Sequence, residues 1–337
     1  MLSGFIIFHS SGQYFGRPRA LPRYLFKRFR RVFPIYWVYT FAAFVMYLIC
    51  LPWLGKDVLM WADKSWAGVL GSPVLYPADV VKNGMPVLPV AWTLTYEILF
   101  YAAFGVAILF KPHVVLALAL LWIALILTRM AGCLWVSSPT SFQFILTETR
   151  NLEFLLGCAA AYALGTGDFK FTAPTACLLL LTGLAALAVA WGNAYLGFTW
   201  MGQRDFLQFG IPFFFIVTAV AMLDLTVPSN ETLIGRFGIF FGDDSYSIYL
   251  THYIVILVVK SVARQASLSP LYSFAAAVLV SLGIGFLAYL FIERPLLAVL
   301  TPGRGMRPGV GPLTDVCQVC TTTDNGKPAK DVSFDPA

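Results

Sequence analysis

The chain has 337 residues, of which 59% are hydrophobic and only 12% are charged, and its mean hydropathy is +0.76. Soluble domains average about 25% charged residues, so this composition excludes a large soluble domain and indicates a polytopic membrane protein. The net charge of +6 does not indicate a nucleic-acid partner, because the cations cluster in one loop beside an apolar segment.

The six cysteines do not predict a disulfide framework, because most of them lie in or beside apolar runs where a buried free thiol is the ordinary state. Only Cys317 and Cys320 have the spacing of a chelating or redox pair. A second pair that would complete a zinc site is missing from the sequence. We therefore expect no metal site and no bound cofactor.

Apolar runs of about 20 residues are long enough to cross a bilayer as helices. Residues 1–8 are too short to cross, and we interpret them as the last third of a helix whose beginning is absent. The remaining pattern predicts an all-α, polytopic transmembrane helix bundle with about eight complete spans plus this partial N-terminal span. The predicted complete spans cover residues 33–53, 91–110, 112–132, 148–165, 173–194, 206–225, 242–262 and 271–293.

A basic segment, residues 17–37, holds seven basic residues and no acidic one. In one interpretation its cations mark the cytoplasmic side of the membrane and contact anionic lipid headgroups. In a second interpretation some of them also hold a phosphorylated ligand, because Arg23, Lys27 and Arg30 follow helical spacing and project from one face. Arg31 fits this face in place of Arg30, and guanidinium groups bind phosphate oxygens through paired donors.

If the basic segment lies in the cytoplasm, successive loops alternate between the two sides of the membrane. Most of the loop cations then fall on the cytoplasmic side, which supports the span assignment. The C-terminus then also lies in the cytoplasm. Residues 1–297 form the predicted membrane domain, and residues 298–337, rich in Gly, Pro and Thr, predict a disordered tail. The largest outer loop, residues 54–89, contains tryptophans that fit either interface anchors or a contact with an acceptor.

Two ionisable side chains inside predicted spans are functional candidates, because an ionisable group at that depth costs about 3 kcal/mol or more. Glu97 shares a helix face with Thr93 and Tyr101, each one turn away. It fits either a catalytic role or a polar contact that locks helices together. His252 fits either a core histidine bonded to a neighbour or a proton carrier or substrate contact.

Two other polar motifs have simpler structural interpretations. Residues 243–245, Asp-Asp-Ser, can cap the helix that leads to His252. Glu293 and Arg294 end the last predicted span, where Pro295 is expected to stop the helix. The Glu293–Arg294 pair is then satisfied locally or against another helix.

Seven short motifs follow one another along residues 3 to about 297: SGFIIF (3–8), FKRFRRVFPIYW (26–37), WTLTYE (92–97), EFLLG (153–157), GIP (210–212), GDDSYSIYLTH (242–252) and IERP (292–295). In this order they resemble the acyltransferase-3 family of bacterial integral-membrane acyltransferases, which includes O-acetylases of exopolysaccharides and lipopolysaccharide. The second and sixth motifs are most similar to the exopolysaccharide acetylase subgroup.

The resemblance implies a ten-helix bundle in the bacterial inner membrane that takes an acyl group, usually acetyl, from cytoplasmic acetyl-CoA. The acyl group passes to a hydroxyl of an exported or surface polysaccharide, directly or after relay across the membrane. The implied partners are acyl-CoA, a glycan or lipid-linked sugar acceptor, and the lipid bilayer. Glu97 and His252 become catalytic candidates. The donor phosphates are expected at the basic segment, on Lys27, Arg28, Arg30 and Arg31.

The first helix of that family carries a basic residue and a histidine that acts on the acceptor hydroxyl or the acyl group, and this sequence begins after it. His9 does not match that histidine by position. Three functions therefore stay open: a membrane O-acyltransferase, a transporter or glycan permease that uses Glu97 and His252 for proton coupling, and an inactive remnant subunit. The hydropathy pattern shows no internal repeat, a frequent feature of transporters, which favours the enzyme.

Overall fold

The computed structural model describes residues 1–54, 71–75, 86–133, 141–165, 172–196, 206–226 and 233–300. Within these residues the chain forms eleven α-helices, several short 3-10 and π turns and no strand, which confirms the predicted all-α class. The helices are α1 (Leu2–Ser11), α2 (Leu21–Leu54), α3 (Trp92–Ile108), α4 (Pro112–Met130), α5 (Ser141–Thr147), α6 (Arg150–Gly165), α7 (Ala173–Tyr195), α8 (Ile211–Thr226), α9 (Leu233–Gln265), α10 (Pro270–Ala288) and α11 (Arg294–Leu300).

Six helical segments of the described chain are long and apolar enough to cross a membrane. They correspond to six of the predicted spans, and the other two, residues 33–53 and 148–165, fall in the second part of α2 and in α6. The chain is therefore a multi-pass membrane protein. The six segments are Pro89–Ile108, Pro112–Met130, Ala173–Tyr195, Gln208–Leu225, Asp244–Gln265 and Pro270–Leu300.

Glycine allows the closest helix contacts in the bundle. In α1, a Cβ on Gly4 would collide with the backbone carbonyl oxygen of Phe154 in α6. In α6, a Cβ on Gly157 would lie 2.9 Å from the backbone nitrogen of Phe5. Because small residues let helix backbones approach in a membrane, these two glycines seat α1 directly on α6. A third close contact joins α9 and α10, where Gly285 faces Ile248.

Two clusters of buried side chains organise the part of the bundle that contains the basic segment. The first joins α2, α3 and α9 around Ile35, Tyr36 and Leu250. The second joins α1, α2, α3 and α6, and its centre is a stacked pair of rings, Phe100 on Phe154, with centroids 3.5 Å apart. The second cluster holds the basic half of α2 against α1 and α3, which is where the candidate site forms.

The prediction that residues 243–245 cap a helix is wrong. Helix α9 begins ten residues earlier, at Leu233, and runs through them without interruption. The apolar residues upstream extend the helix, so its backbone N–H groups at this point already have intrahelical acceptors and need no cap. Ser245 instead donates its hydroxyl to the carbonyl oxygen of Gly242, one turn back, at 2.7 Å.

The prediction that Pro295 stops the helix is also wrong. A π turn, Tyr289–Glu293, is followed directly by α11, in which Pro295 is the second residue. Proline is tolerated in the first turn of a helix, and the wider π turn rearranges the hydrogen bonds that lead into it. Helix α11 reaches Leu300. The rest of the predicted tail, with Cys317 and Cys320, and most of loop 54–89 lie outside the described residues.

We predict that Gly285→Ala destabilises the protein, because the new Cβ would lie 2.7 Å from the Cα of Ile248 and would force α9 and α10 apart. The matched control is Gly283→Ala in the same helix, where a Cβ would meet no described atom within 4 Å. In thermal unfolding of the detergent-solubilised protein, Gly285→Ala should cost about 1–3 kcal/mol of stability and Gly283→Ala less than about 0.5 kcal/mol. Equal midpoints for the two variants would contradict this contact.

Candidate functional site

A small, partly open cleft lies between α1, α2 and α3. Each helix contributes residues one turn apart, so each presents one face to the cleft. Helix α2 supplies two cations, and α3 supplies an acid and a phenol. The lining residues are Ser3, Ile6, Ile7, Arg28, Arg31, Glu97 and Tyr101.

Arg28 is the buried cation of this cleft, with only 6% of its surface exposed. Its Nη2 donates to the hydroxyl oxygens of Ser10 at 2.6 Å and Ser11 at 3.1 Å, at the end of α1. The rings of Tyr24 and Tyr101 flank its guanidinium at 5.5 and 5.4 Å, a distance typical of cation–π contacts. The Nε atom is buried and has no hydrogen-bond partner among the described residues.

Glu97 and Tyr101 form the other wall. The phenol of Tyr101 donates to the Glu97 carboxylate from one turn away, as the sequence spacing predicts. Tyr24 in the basic segment donates its own phenol to the carbonyl oxygen of Tyr101 at 3.4 Å. Burial raises the pKa of Tyr24 to about 12, although the positive charge of Arg28 beside it acts in the opposite direction. Tyr24 therefore stays protonated and neutral at physiological pH.

The other predicted donor-site cations have different surroundings. Arg31 lines the cleft and is exposed, and Lys27 is exposed but is not among the lining residues. Arg30 donates from Nη1 to the carbonyl oxygen of Leu300 at 2.8 Å, which ties α2 to the end of α11. The structure thus brings Arg28 and Arg31 together with Glu97 and leaves Lys27 and Arg30 out of the cleft lining.

His252 does not line the cleft. Its Nδ1 is 2.7 Å from the carbonyl oxygen of Tyr249, one turn back in α9. The Tyr249 phenol in turn donates to the carbonyl oxygen of Val90 and shares a hydrogen bond with Thr93. Thr93 and Glu97 were expected on one helix face, but Thr93 bonds to α9 whereas Glu97 faces the cleft.

A second buried polar group joins α2, α9 and the π turn. Ser247 is fully buried and donates its hydroxyl to the carboxylate of Glu293. The phenol of Tyr39 hydrogen-bonds to the same Ser247 hydroxyl at 2.7 Å. This group satisfies Glu293 against another helix, which is one of the two arrangements that the sequence left open.

Ser10, Ser11 and Tyr24 also belong to the site, although they were not among the residues predicted from the sequence. Ser10 and Ser11 lie at least 17 positions from Arg28 in sequence, and they meet it only because α1 folds back beside α2. Tyr24 could have been predicted from the sequence, because it is four residues before Arg28 and therefore lies on the same helix face. In the described part of the chain, no group of three or more His, Cys, Asp or Glu side chains is placed to hold a metal ion.

Comparisons with known proteins agree with the motif order. A family model described as an acyltransferase domain matches residues 1–290. The exopolysaccharide production protein ExoZ of Rhizobium meliloti (strain 1021) is 30% identical over 308 residues, which are 88% of this chain and 87% of that protein. No solved structure matches the chain.

A more distant relative is the O-acetyltransferase OatA of Staphylococcus aureus (strain NCTC 8325 / PS 47). It is 25% identical over 220 residues, which are 61% of this chain and only 35% of OatA. The match to the family model and the 30% identity over most of both chains lead to one conclusion: this chain belongs to the acyltransferase-3 family of membrane acyltransferases.

Proposed function

We propose that this chain transfers an acetyl group from acetyl-CoA to a hydroxyl of an exported or surface polysaccharide. The observation that carries the proposal is the cleft in which Arg28, Arg31 and Glu97 lie together between three helices. Acyl transfer from a coenzyme A thioester needs cations for the donor and a base for the acceptor hydroxyl, and this cleft offers both. The relatives named for exopolysaccharide production and O-acetyl transfer support the acceptor class and the acyl group.

The donor is a substrate and not a resident cofactor. Its phosphates carry several negative charges, and exposed arginine and lysine side chains on one helix face attract them with paired or point-charge donors. Arg31 and Lys27 are exposed and suited to this contact. In Arg30 one guanidinium nitrogen already donates to Leu300, so Arg30 offers the donor only its remaining N–H groups.

Glu97 is the proposed base. The acceptor hydroxyl must lose its proton as its oxygen attacks the thioester carbonyl carbon, and a carboxylate inside the cleft can accept that proton. Tyr101 donates to this carboxylate and fixes its orientation. His252 lies outside the cleft, and we retain it as a candidate for contact with the acceptor, since its Nδ1 donates to the carbonyl oxygen of Tyr249 and leaves Nε2 to accept from a hydroxyl.

The same proposal places the chain in the bacterial inner membrane, with the basic segment and the C-terminus in the cytoplasm. The excess of loop cations on that side supports this orientation. It also brings the basic segment to the compartment that contains acetyl-CoA. An exported acceptor would approach from the opposite face.

We predict that Arg31→Ala raises KM for acetyl-CoA by about tenfold or more, because a charge-assisted contact to phosphate is lost. The measurement is transfer of labelled acetyl to polysaccharide in membranes from cells that produce the chain. Arg19→Ala is the matched control, since Arg19 is exposed in the same basic segment but does not line the cleft. Equal KM values for both variants would refute the donor assignment, and polysaccharide flux without acetylation would instead indicate a permease.

We predict that Glu97→Gln lowers kcat by about 100-fold, because the amide keeps an acceptor for the Tyr101 phenol but cannot take a proton. Glu148→Gln is the control, since Glu148 likewise accepts a tyrosine phenol, from Tyr96 at 3.2 Å, but lies outside the cleft. The assay is the same acetyl transfer at saturating donor. A kcat for Glu97→Gln close to that of the control would rule out Glu97 as the base.

The proposed orientation predicts that Cys133, exposed after the end of α4, reacts from outside the cell. Helices α2, α3 and α4 cross the membrane in turn after the basic segment, so Cys133 lies on the face opposite to it. A membrane-impermeant maleimide added to intact spheroplasts should label a variant that retains only this cysteine. Labelling only after permeabilisation would reverse the orientation.

A further inference from the structure

The cations of α2 lie on two different faces of the helix. Arg28 and Arg31 line the cleft, whereas Arg23 and Arg30 do not. Because Arg23 and Arg30 are two helical turns apart, they share a face, and this face points away from the buried Arg28. Arg23 is exposed and Arg30 is half-buried. These two cations are therefore available to a ligand that does not enter the cleft.

Exposed aromatic side chains continue this face along α2. Phe26, one turn before Arg30, is 63% exposed, and Trp37 is 42% exposed. The half-buried Phe33 joins them, with its ring centroid 5.8 Å from that of Trp37. The five positions follow the period of one helix face, and none of them lines the cleft. We call this set the outward stripe: Arg23, Phe26, Arg30, Phe33 and Trp37.

Contacts with the rest of the protein hold two side chains of the outward stripe in place. Arg30 donates to the carbonyl oxygen of Leu300, and its guanidinium lies 5.8 Å from the centre of the Phe26 ring. Trp37 donates from Nε1 to the carbonyl oxygen of Pro73 at 2.7 Å. Arg30 keeps further N–H groups for a ligand, and the Trp37 ring stays exposed. The stripe is thus ordered before a ligand arrives, which lowers the entropic cost of binding.

The outward stripe crosses the boundary of the membrane. The predicted span begins at residue 33, so Arg30 lies at the level of the lipid head groups and Trp37 lies in the apolar layer. A helix rises 1.5 Å per residue, which places Trp37 about 10 Å deeper than Arg30. A phospholipid has the same order along the same axis, a phosphate followed by acyl chains. A soluble phosphate ester has no chain to cover the rings in the apolar layer.

We propose that the outward stripe binds one anionic phospholipid of the leaflet on the side of the basic segment. Arg30 donates to the head-group phosphate, and Arg23, two turns nearer the water, contacts the rest of the charged head group. Phe33 and Trp37 contact an acyl chain. Basic residues at a membrane surface favour anionic over zwitterionic lipids. The inference uses only the position of α2 in the membrane and does not depend on acyl transfer.

The test titrates phosphatidylglycerol into the detergent-purified full chain and counts the bound lipid molecules by native mass spectrometry. The unchanged protein should bind one molecule about fivefold or more tightly than phosphatidylcholine, whose head group has no net charge. Arg23→Gln should weaken phosphatidylglycerol binding by about fivefold. The matched control is Arg31→Gln, since Arg31 is an exposed cation of the same helix that lines the cleft, and it should change this affinity by less than about twofold.

Two results of this titration would overturn the proposal. Equal losses of affinity in Arg23→Gln and Arg31→Gln would show that the basic segment attracts anionic lipid without a specific site. Equal affinities of the unchanged protein for phosphatidylglycerol and phosphatidylcholine would show that the cations do not hold the head group.

Two competitors separate a lipid phosphate from other phosphates. Saturating acetyl-CoA should leave phosphatidylglycerol binding unchanged, because the cleft cations lie on another face of α2. If acetyl-CoA displaces the lipid, the outward stripe belongs to the donor site, so this inference fails while the proposed function stands. Glycerophosphoglycerol, the head group without acyl chains, should not displace the lipid at about tenfold excess, because it lacks the apolar surface that the rings contact. Displacement at that excess would overturn the proposal.

The same spectra distinguish two other occupants of the outward stripe. A polyprenyl phosphate that binds more tightly than phosphatidylglycerol would assign the stripe to a lipid-linked carrier. A lipid-free dimer that Phe26→Ala dissociates would assign it to a contact between two copies of the chain. Either result overturns the proposal, whereas a protein with one bound phosphatidylglycerol that polyprenyl phosphate does not displace supports it.

Discussion

The interior of a bilayer offers no water, so each polar side chain that enters it must find a partner inside the protein, and this constraint orders the bundle. Glu293 meets it through Ser247 and Tyr39, which joins the π turn to α9 and α2. In the basic segment before the span, the buried Arg28 donates to the hydroxyls of Ser10 and Ser11, which joins α2 to α1. These polar contacts join helices that the two apolar clusters also hold together.

Helix type and approximate position could be predicted from the sequence because they follow from local apolar runs. The start of α9 and the helical continuation after α10 could not be predicted. A cap or a proline constrains only a few residues, whereas the fold determines whether the helix continues. Pro34 shows the same limit: it lies inside the continuous helix α2, where surrounding helices in a membrane compensate for the lost N–H. Residues 243–245 likewise lie inside a helix, because α9 already extends upstream of them to Leu233.

The site was predictable only where its residues share one helix. Glu97 and Tyr101 are four positions apart and meet as the spacing indicates. Arg28 and Arg31 also share a face, but the difference in their burial depends on α1 and α3, which sequence spacing does not describe. His252 was grouped with Glu97 because both are ionisable residues in spans, yet a local bond to Tyr249 accounts for its position.

The close contact between α1 and α6 makes the shape of the cleft depend on residues that do not line it. Ser3, Ile6 and Ile7 form one wall of the cleft, and Gly4 stands between them on the same short helix. Gly4 is in direct backbone contact with α6, none of whose residues lines the cleft. The position of this wall therefore depends on the two glycines at the contact between α1 and α6, Gly4 and Gly157. A larger side chain at Gly157 would push α1 away from α6 and so move this wall of the cleft.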